Sequence, residues 1–127
     1  MSLLSEQLAA GRFVVTAEIA PPKGTNLGQA FDEARRLVGV TAVNITDNQG
    51  ANMRLSSLAL AARLQQSGVE TILQLTCRDR NRMALQSDML GAASFGIENL
   101  LLLSADHSKF GDQPDARGVG GRPARVL

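Results

Sequence analysis

Polar and ionisable residues stand at the ends of several short apolar segments of the chain. Glu18 ends one segment, Thr46 and Asp47 end the next, Gln74 lies near the end of a third, and Asp106 follows the last. Carboxyl groups can transfer protons or hold charged ligands. If the segments are parallel strands, these residues meet at one edge, where ligands bind in open α/β sheets and in barrels. Because polar residues recur at the ends of several segments, a ligand site at this edge is favoured over the alternative that these residues simply mark loops.

Glu18 is the most informative of these residues because it stands between the apolar residues Ala17 and Ile19. A carboxyl group that is buried without a partner keeps its proton more readily, which would make it a general acid near neutral pH. The alternative is an ion pair with Arg12 or another cation. The residues alone leave both interpretations open.

A metal site is only weakly indicated. Cys77, His107, Asp47 and Asp79 are ligand types, but no pair of them has a recognised ligand spacing. Cys77 is interpreted as a small buried residue rather than a nucleophile. Asp106 could hold a metal or pair with a charged cofactor. A single histidine cannot supply a multi-histidine metal site.

Two further motifs carry little functional information. The arginines of CRDRNR (77–82) could contact phosphates, or the segment is a solvated loop in which Asp79 caps the next helix. The segment GVGG (118–121) is a partial dinucleotide fingerprint. It follows no predicted strand and opens no predicted helix, so it is discounted.

Four apolar segments predict the strands that would position these residues. They cover 13–19, 42–46, 71–76 and 99–103, and they begin 29, 29 and 28 residues apart. Short, mostly apolar strands are typical of a parallel sheet that is covered by helices. This spacing fits either a doubly wound sheet or part of a (β/α)8 barrel, whose units average about 31 residues.

Helical periodicity fills the gaps between these strands. Apolar residues recur at helical spacing over 27–38, 54–67 and 81–95, and a short leading helix is predicted over 3–10. The last two of the three longer helices stop at a glycine, a common helix C-cap. Each crossover is therefore long enough to join parallel strands.

Composition excludes several classes of protein. The 127 residues carry 13 Lys plus Arg and 12 Asp plus Glu, so the net charge of +1 is too balanced for a nucleic-acid interface. One cysteine cannot form an intrachain disulfide, and no apolar run approaches the ~20 residues of a membrane span. The N-terminus does not resemble a signal peptide, so a cytoplasmic protein is expected.

Four segments of the chain are distinctive, namely TAEIAPPKG (16–24), VNITDN (43–48), QLTCRDRNRMALQSDMLGA (74–92) and GIENLLLLSADH (96–107). Through these segments the chain resembles the N-terminal half of the methylenetetrahydrofolate reductase family over about residues 12–115. The resemblance implies a (β/α)8 barrel that binds FAD non-covalently. It also implies reduction of the flavin by NAD(P)H and reduction of 5,10-methylenetetrahydrofolate to 5-methyltetrahydrofolate.

The resemblance assigns two catalytic residues. Glu18 matches the general acid proposed to help open the bridged ring of the folate, in agreement with its placement in the sequence. Asp106 matches the aspartate that lies near the flavin and the folate, where it tunes the flavin electrostatics and contacts the pterin.

The resemblance also assigns cofactor-binding residues beside Asp106. Thr46 matches a threonine that contacts the flavin, and Gln74 stands beside the flavin where many members carry histidine. The backbone of Leu103, Ser104 and Ala105 falls on the segment that lines the FAD. The family usually has glycine in place of Ala105. Alanine lacks the freedom of glycine at positive φ, so flavin binding is expected to be weakened or reshaped.

Length marks a second departure from the family. Residues 1–115 are predicted to form about four βα units, half of a barrel, and residues 116–127 to form an irregular tail. The Gly- and Pro-rich end is interpreted as a truncation or a frameshift. Four strands cannot close an eight-stranded barrel, and their two open edges invite association. We therefore expect a homo-oligomer or a partner chain that supplies the missing half.

Three functions follow from these observations. The first is a methylenetetrahydrofolate reductase homologue, which is not expected to turn over as an isolated monomer. The second is a non-catalytic half-barrel that binds flavin or pterin, or that completes a barrel with a partner chain. The third is a metal-dependent enzyme on a similar barrel, which the single histidine disfavours.

Overall fold

The computed structural model describes residues 1–116. They form a short helix, three βα units and a fourth strand, with one 3-10 turn after the second strand, Gln49–Ala51, and another after the fourth, Ser108–Phe110. The helices and strands are α1 (Leu3–Ala9), β1 (Thr16–Ile19), α2 (Gly28–Arg36), β2 (Ala42–Ile45), α3 (Ser57–Gln66), β3 (Thr71–Thr76), α4 (Arg82–Ser94) and β4 (Asn99–Leu103).

All four strands are parallel, and their order in the sheet is β1-β2-β3-β4. A doubly wound sheet reverses its strand order at a switch point, whereas this order never reverses. Because βα crossovers are right-handed, a sequential order places every crossover helix on the same face. Of the two predicted architectures, the structure therefore has the one expected of a partial βα barrel.

The hydrophobic core lies between that helical layer and one face of the sheet. Side chains alternate between the two faces along a strand, so every second residue enters the core. The buried strand residues of the core are Ile19, Val43, Ile45, Leu73 and Leu75. They pack with buried residues of the three crossover helices, namely Ala30, Leu60, Ala61, Leu64, Leu85 and Ala92.

The opposite face of the sheet carries polar side chains on its first three strands and leucines on the fourth, and within residues 1–116 no helix covers it. Glu18, Asn44 and Gln74 lie on this face of β1, β2 and β3, and the Gln74 Nε2 donates to Asn44 Oδ1 at 3.4 Å. The Asn44 amide in turn donates to the carbonyl of Ala17 at 3.3 Å. We call this surface the inner face, because in a barrel it would line the interior.

Helix boundaries follow the capping residues. Asn81 caps α4 by accepting the Ala84 N–H at 2.9 Å, so the cap is Asn81 and not Asp79 as expected. Gly68 and Gly96 follow α3 and α4 with φ of +95° and +80°, which confirms the predicted glycine stops.

Among the described residues, no helix is long and apolar enough to cross a membrane.

Strand β1 is shorter than its apolar segment predicts. It begins at Thr16, which is the residue that pairs with the first residue of β2, Ala42. Upstream of it there is no partner strand, and the Phe13 side chain is 93% exposed. The length of an apolar segment therefore overestimates the length of a strand when its neighbour in the sheet begins opposite a later residue.

Helix α1 is fastened to the amino-terminal end of the sheet by one carboxylate. The N–H groups of Leu3 and Leu4 donate to the Glu70 carboxylate at 2.9 and 2.8 Å, and Asn99 Nδ2 donates to it at 3.0 Å. Backbone N–H groups in the first turn of a helix have no partner within the helix, so an acceptor there stabilises it. Glu70 thus joins α1 to β3 and β4.

Replacing Glu70 by alanine should lower the free energy of unfolding by about 1–2 kcal/mol, because three donors lose their charged acceptor. Urea unfolding followed by circular dichroism measures this change. Glu98→Ala is the matched control: among the described residues, the Glu98 carboxylate makes one exposed ion pair, with the N-terminus, so its loss should cost less than about 0.5 kcal/mol. Equal losses for the two variants would contradict the role given to Glu70.

Candidate active site

A cleft of about 260 Å³ lies at the carboxyl edge of the sheet. It brings together residues from the ends of all four strands, as the repeated polar pattern predicts. Six of the seven predicted site residues line it, namely Glu18, Thr46, Gln74, Leu103, Ala105 and Asp106. The seventh, Ser104, is exposed and does not line the cleft.

Thr46 and Gln74 form the buried floor of this cleft. Thr46 is 2% exposed, and its Oγ1 has no hydrogen-bond partner in the part of the chain that the structure describes. Gln74 is 7% exposed, and its side chain reaches only Asn44. A buried hydroxyl without a partner loses its hydration without compensation, so a polar ligand atom in the cleft would satisfy it.

Glu18 lines the cleft but is exposed, so the expectation of a buried carboxyl group is wrong. The reason is the alternation of faces along β1. Ile19 enters the core, whereas Glu18 projects onto the open inner face of an edge strand. The apolar neighbours in the sequence therefore do not desolvate it. The described residues also place no cation within ion-pair distance of it, so the alternative with Arg12 is not seen.

The loop after β4 contains a residue in the left-handed region. Ala105 has a φ of +60°, the conformation that glycine adopts without a steric penalty. The sequence therefore keeps the backbone turn expected of this segment while using a residue that disfavours it. Next to it, Asp106 is exposed and lines the cleft.

Sequence analysis missed the ion pairs that hold the walls of the cleft. Asp47 is 4% exposed, and its carboxylate accepts the Thr76 N–H at 2.8 Å and a hydrogen bond from Arg80. Arg80 also donates to Asp88 at 2.8 Å. Burial lowers the pKa of Arg80, but the hydrogen bonds and charges of Asp47 and Asp88 outweigh it, and the pKa is raised overall.

A second ion pair, between Arg78 and Asp79, lies beside the ion pair of Asp47 and Arg80. Arg78 Nε and Nη2 donate to the two carboxylate oxygens of Asp79, both at 2.7 Å. This bidentate hydrogen bond raises the pKa of Arg78 and lowers that of Asp79. Arg78 and Arg80 are thus occupied by carboxylates and by backbone carbonyls, and the phosphate-contact interpretation of this segment receives no support from their geometry. The signal available in the sequence was the opposite charge of Asp47 after β2 and of the arginines after β3.

The other residues and motifs singled out in the sequence have structural roles, or they lie outside the residues that the structure describes. Cys77 is 7% exposed in the core, as interpreted from the sequence. His107 Nδ1 accepts the Lys109 N–H at 3.1 Å and caps the turn after β4. Within residues 1–116, no three His, Cys, Asp or Glu side chains come close enough to hold a metal ion. The GVGG segment and most of the predicted tail lie outside the described residues.

The strand order and this cleft define an α/β protein with a ligand site at the carboxyl edge of a partial βα barrel. A family model, methylenetetrahydrofolate reductase, matches residues 3–122. The chain belongs to that family, and its function is methylenetetrahydrofolate reductase-like, that of an oxidoreductase. The match is longer at both ends than the resemblance over residues 12–115. A comparison with curated proteins finds no match.

Replacing Ala105 by glycine should raise the free energy of unfolding by about 1 kcal/mol, because glycine adopts the observed φ without a Cβ penalty. Urea unfolding measures the change. Ala59→Gly, at an exposed position inside α3, is the matched control and should lower the free energy by about 0.5–1 kcal/mol. A loss of stability in both variants would show that Ala105 is not strained.

Proposed function

We propose that this chain supplies half of the active site of a flavin-dependent reductase. In this proposal NAD(P)H and FAD are the cofactors and 5,10-methylenetetrahydrofolate is the substrate. The observation that carries it is the cleft that brings the Thr46 hydroxyl and the Gln74 amide together with the carboxylates of Glu18 and Asp106. Within residues 1–116, the Thr46 hydroxyl has no hydrogen-bond partner and neither carboxylate forms an ion pair. Family membership supplies the reaction class.

The residues of the cleft fit a flavin. A flavin ring presents several hydrogen-bond donors and acceptors along one edge and a flat apolar surface. Thr46 Oγ1 is a buried group in need of such a partner, and Gln74 offers both a donor and an acceptor. Leu103 adds apolar surface beside them. When bound, the flavin supplies hydride transfer from the nicotinamide to the folate.

Glu18 has the placement of a proton donor in this scheme. Its carboxyl group projects into the cleft from the inner face, towards the space that a bound folate ring would occupy. Because the group is exposed in the single chain, the folate and the second half of the site must shield it from solvent before it can act as an acid near neutral pH. Asp106 stands at the other end of the cleft, where its carboxylate can accept hydrogen bonds from the pterin.

We also propose that a second copy of this chain completes the sheet. Within the described residues, β1 and β4 each have one unpaired edge, and Leu100, Leu101 and Leu102 of β4 are 40%, 41% and 38% exposed. Since all four strands are parallel, β4 of one copy can pair with β1 of another and continue the same order. Two copies joined twice in this way would give eight strands, the number in a closed βα barrel.

Glu18→Gln should reduce the rate of folate reduction by about 100-fold or more, because the amide cannot donate the proton. The same variant should leave the reduction of bound FAD by NAD(P)H unchanged. Stopped-flow absorbance separates the two half-reactions. The control is Glu6→Gln, an exposed glutamate of α1, the helix that is fastened to the amino-terminal end of the sheet and not to its carboxyl edge.

Equal loss of both half-reactions would contradict the general-acid role of Glu18. Flavin binding without reduction of the folate in the unchanged chain would favour the non-catalytic half-barrel instead. A chain that takes up no FAD would overturn the cofactor assignment.

Light scattering should give a mass of about 27 kDa, twice the 13.5 kDa of one chain. Leu101→Lys should halve this mass, because a charge in the middle of an edge strand opposes strand pairing. Val38→Lys is the control, since Val38 is equally apolar, 90% exposed and outside both edge strands. A single-chain mass for the unchanged protein would exclude the second copy and point to a different polypeptide.

A further inference from the structure

The guanidinium of Arg78 lies between the two loops that form the walls of the cleft. Its side chain is only 9% exposed. Its Nη2 donates to the carbonyl of Asn48 in the loop after β2 at 3.2 Å. Its Nη1 donates to the carbonyl of Asp106 in the loop after β4 at 3.0 Å. One side chain from the end of β3 therefore connects the loops of both neighbouring strands.

The two loops are bent where Arg78 holds them. Asn48 has a φ of +45°, and Ala105, immediately before Asp106, has a φ of +60°. Asparagine tolerates this region, whereas alanine enters it only at an energetic cost, so the conformation of Ala105 persists when surrounding contacts fix it. The hydrogen bonds from Arg78 to these carbonyls are contacts of that kind.

The Asp106 carboxylate depends on this backbone anchor. In the described part of the chain, no hydrogen bond or ion pair reaches its side-chain oxygens, and the residue is exposed. The position of this carboxylate in the cleft is therefore set by its own backbone, and the anchor of that backbone is Arg78.

Asp79 fixes the guanidinium itself. Its carboxylate binds Nε and Nη2, and its Oδ2 also lies 3.3 Å from the Asn48 Nδ2 and 3.4 Å from the Thr76 hydroxyl. The plane of the guanidinium is thereby fixed, and the other N–H groups point to the two carbonyls. A lysine ammonium is a point charge on a flexible stem and cannot reproduce a planar fork.

We propose that Arg78 is a positioning residue that couples the loops after β2 and β4 and thereby places Asp106 in the cleft. The coupling rests on the geometry alone, and its consequence for the reaction rests on the proposed function. Arg80 differs, because it joins Asp47 to Asp88 and so fastens β2 to α4. Arg82 is exposed, without a hydrogen bond or ion pair among residues 1–116, and serves as the control.

Amide hydrogen exchange of the ¹⁵N-labelled full chain tests the coupling without any ligand. The Ala51 N–H, bonded to the Asn48 carbonyl, reports on the first loop, and the Phe110 N–H, bonded to the His107 carbonyl, reports on the second. The Val43 N–H, bonded to the Glu70 carbonyl, reports on the sheet. Arg78→Ala should speed exchange at both loop reporters by about tenfold and leave Val43 unchanged.

Arg78→Lys should behave like Arg78→Ala, since it restores the charge but not the fork, and Arg82→Ala should behave like the unchanged chain. Acceleration at only one loop, or full rescue by lysine, would overturn the coupling. Equal acceleration at Val43 would show a general loss of structure instead.

A titration with FAD, followed by its visible absorbance, then tests the consequence. Arg78→Ala and Arg78→Lys should both weaken FAD binding by about tenfold, whereas Arg82→Ala should not. If the unchanged chain takes up no FAD, the proposed function fails while the exchange experiment still decides the coupling. If FAD binds equally to all variants, the loops do not depend on Arg78 for the site.

Discussion

The candidate site depends on one buried carboxylate. Asp47 stands at the end of β2, directly after Thr46, and it is almost inaccessible to water. A charge in that position is costly unless it is paired and hydrogen-bonded. The Thr76 N–H and Arg80 meet that requirement, and Arg80 extends the contact to Asp88 on α4. The ends of β2 and β3 and the start of α4 are thereby held together, and the two central loops of the cleft begin from this point.

Because side chains alternate between the two faces along each strand, the residues that stabilise the fold are different from those that can bind a ligand. Residues such as Ile45 and Leu73 enter the core and hold the helices to the sheet. Their neighbours Asn44 and Gln74 lie on the inner face, where no helix covers them. Because the two sets occupy opposite faces, the polar side chains of the cleft do not enter the hydrophobic core. This arrangement requires the sequential strand order, since a reversed order would place helices on both faces.

Much of the fold could be predicted from the sequence, because strands β2, β3 and β4 are apolar runs bounded by polar residues, and the helices end at caps. The strand ends also indicated the location of the cleft. The exposure of Glu18 could not be predicted from its apolar neighbours, because the two faces of an edge strand have different surroundings. The pairing of Asp47 with Arg80 joins residues 33 apart, and nothing local in either segment specifies it. Asn81 caps α4 because the helix begins at Arg82, and Asp79 lies two residues before the cap position, where it binds Arg78 instead.

The cleft residues divide by their place in the sheet. Thr46 and Gln74 follow or belong to β2 and β3, the two strands that are paired on both sides, and both are buried. Glu18 and Asp106 belong to β1 and to the loop after β4, and both are exposed. The groups suited to holding a ligand thus lie on the rigid centre, and the carboxyl groups suited to proton transfer lie at the open edges. Pairing at those edges would reduce the solvent around both carboxyl groups and leave the centre unchanged, so assembly would act on catalysis more than on ligand binding.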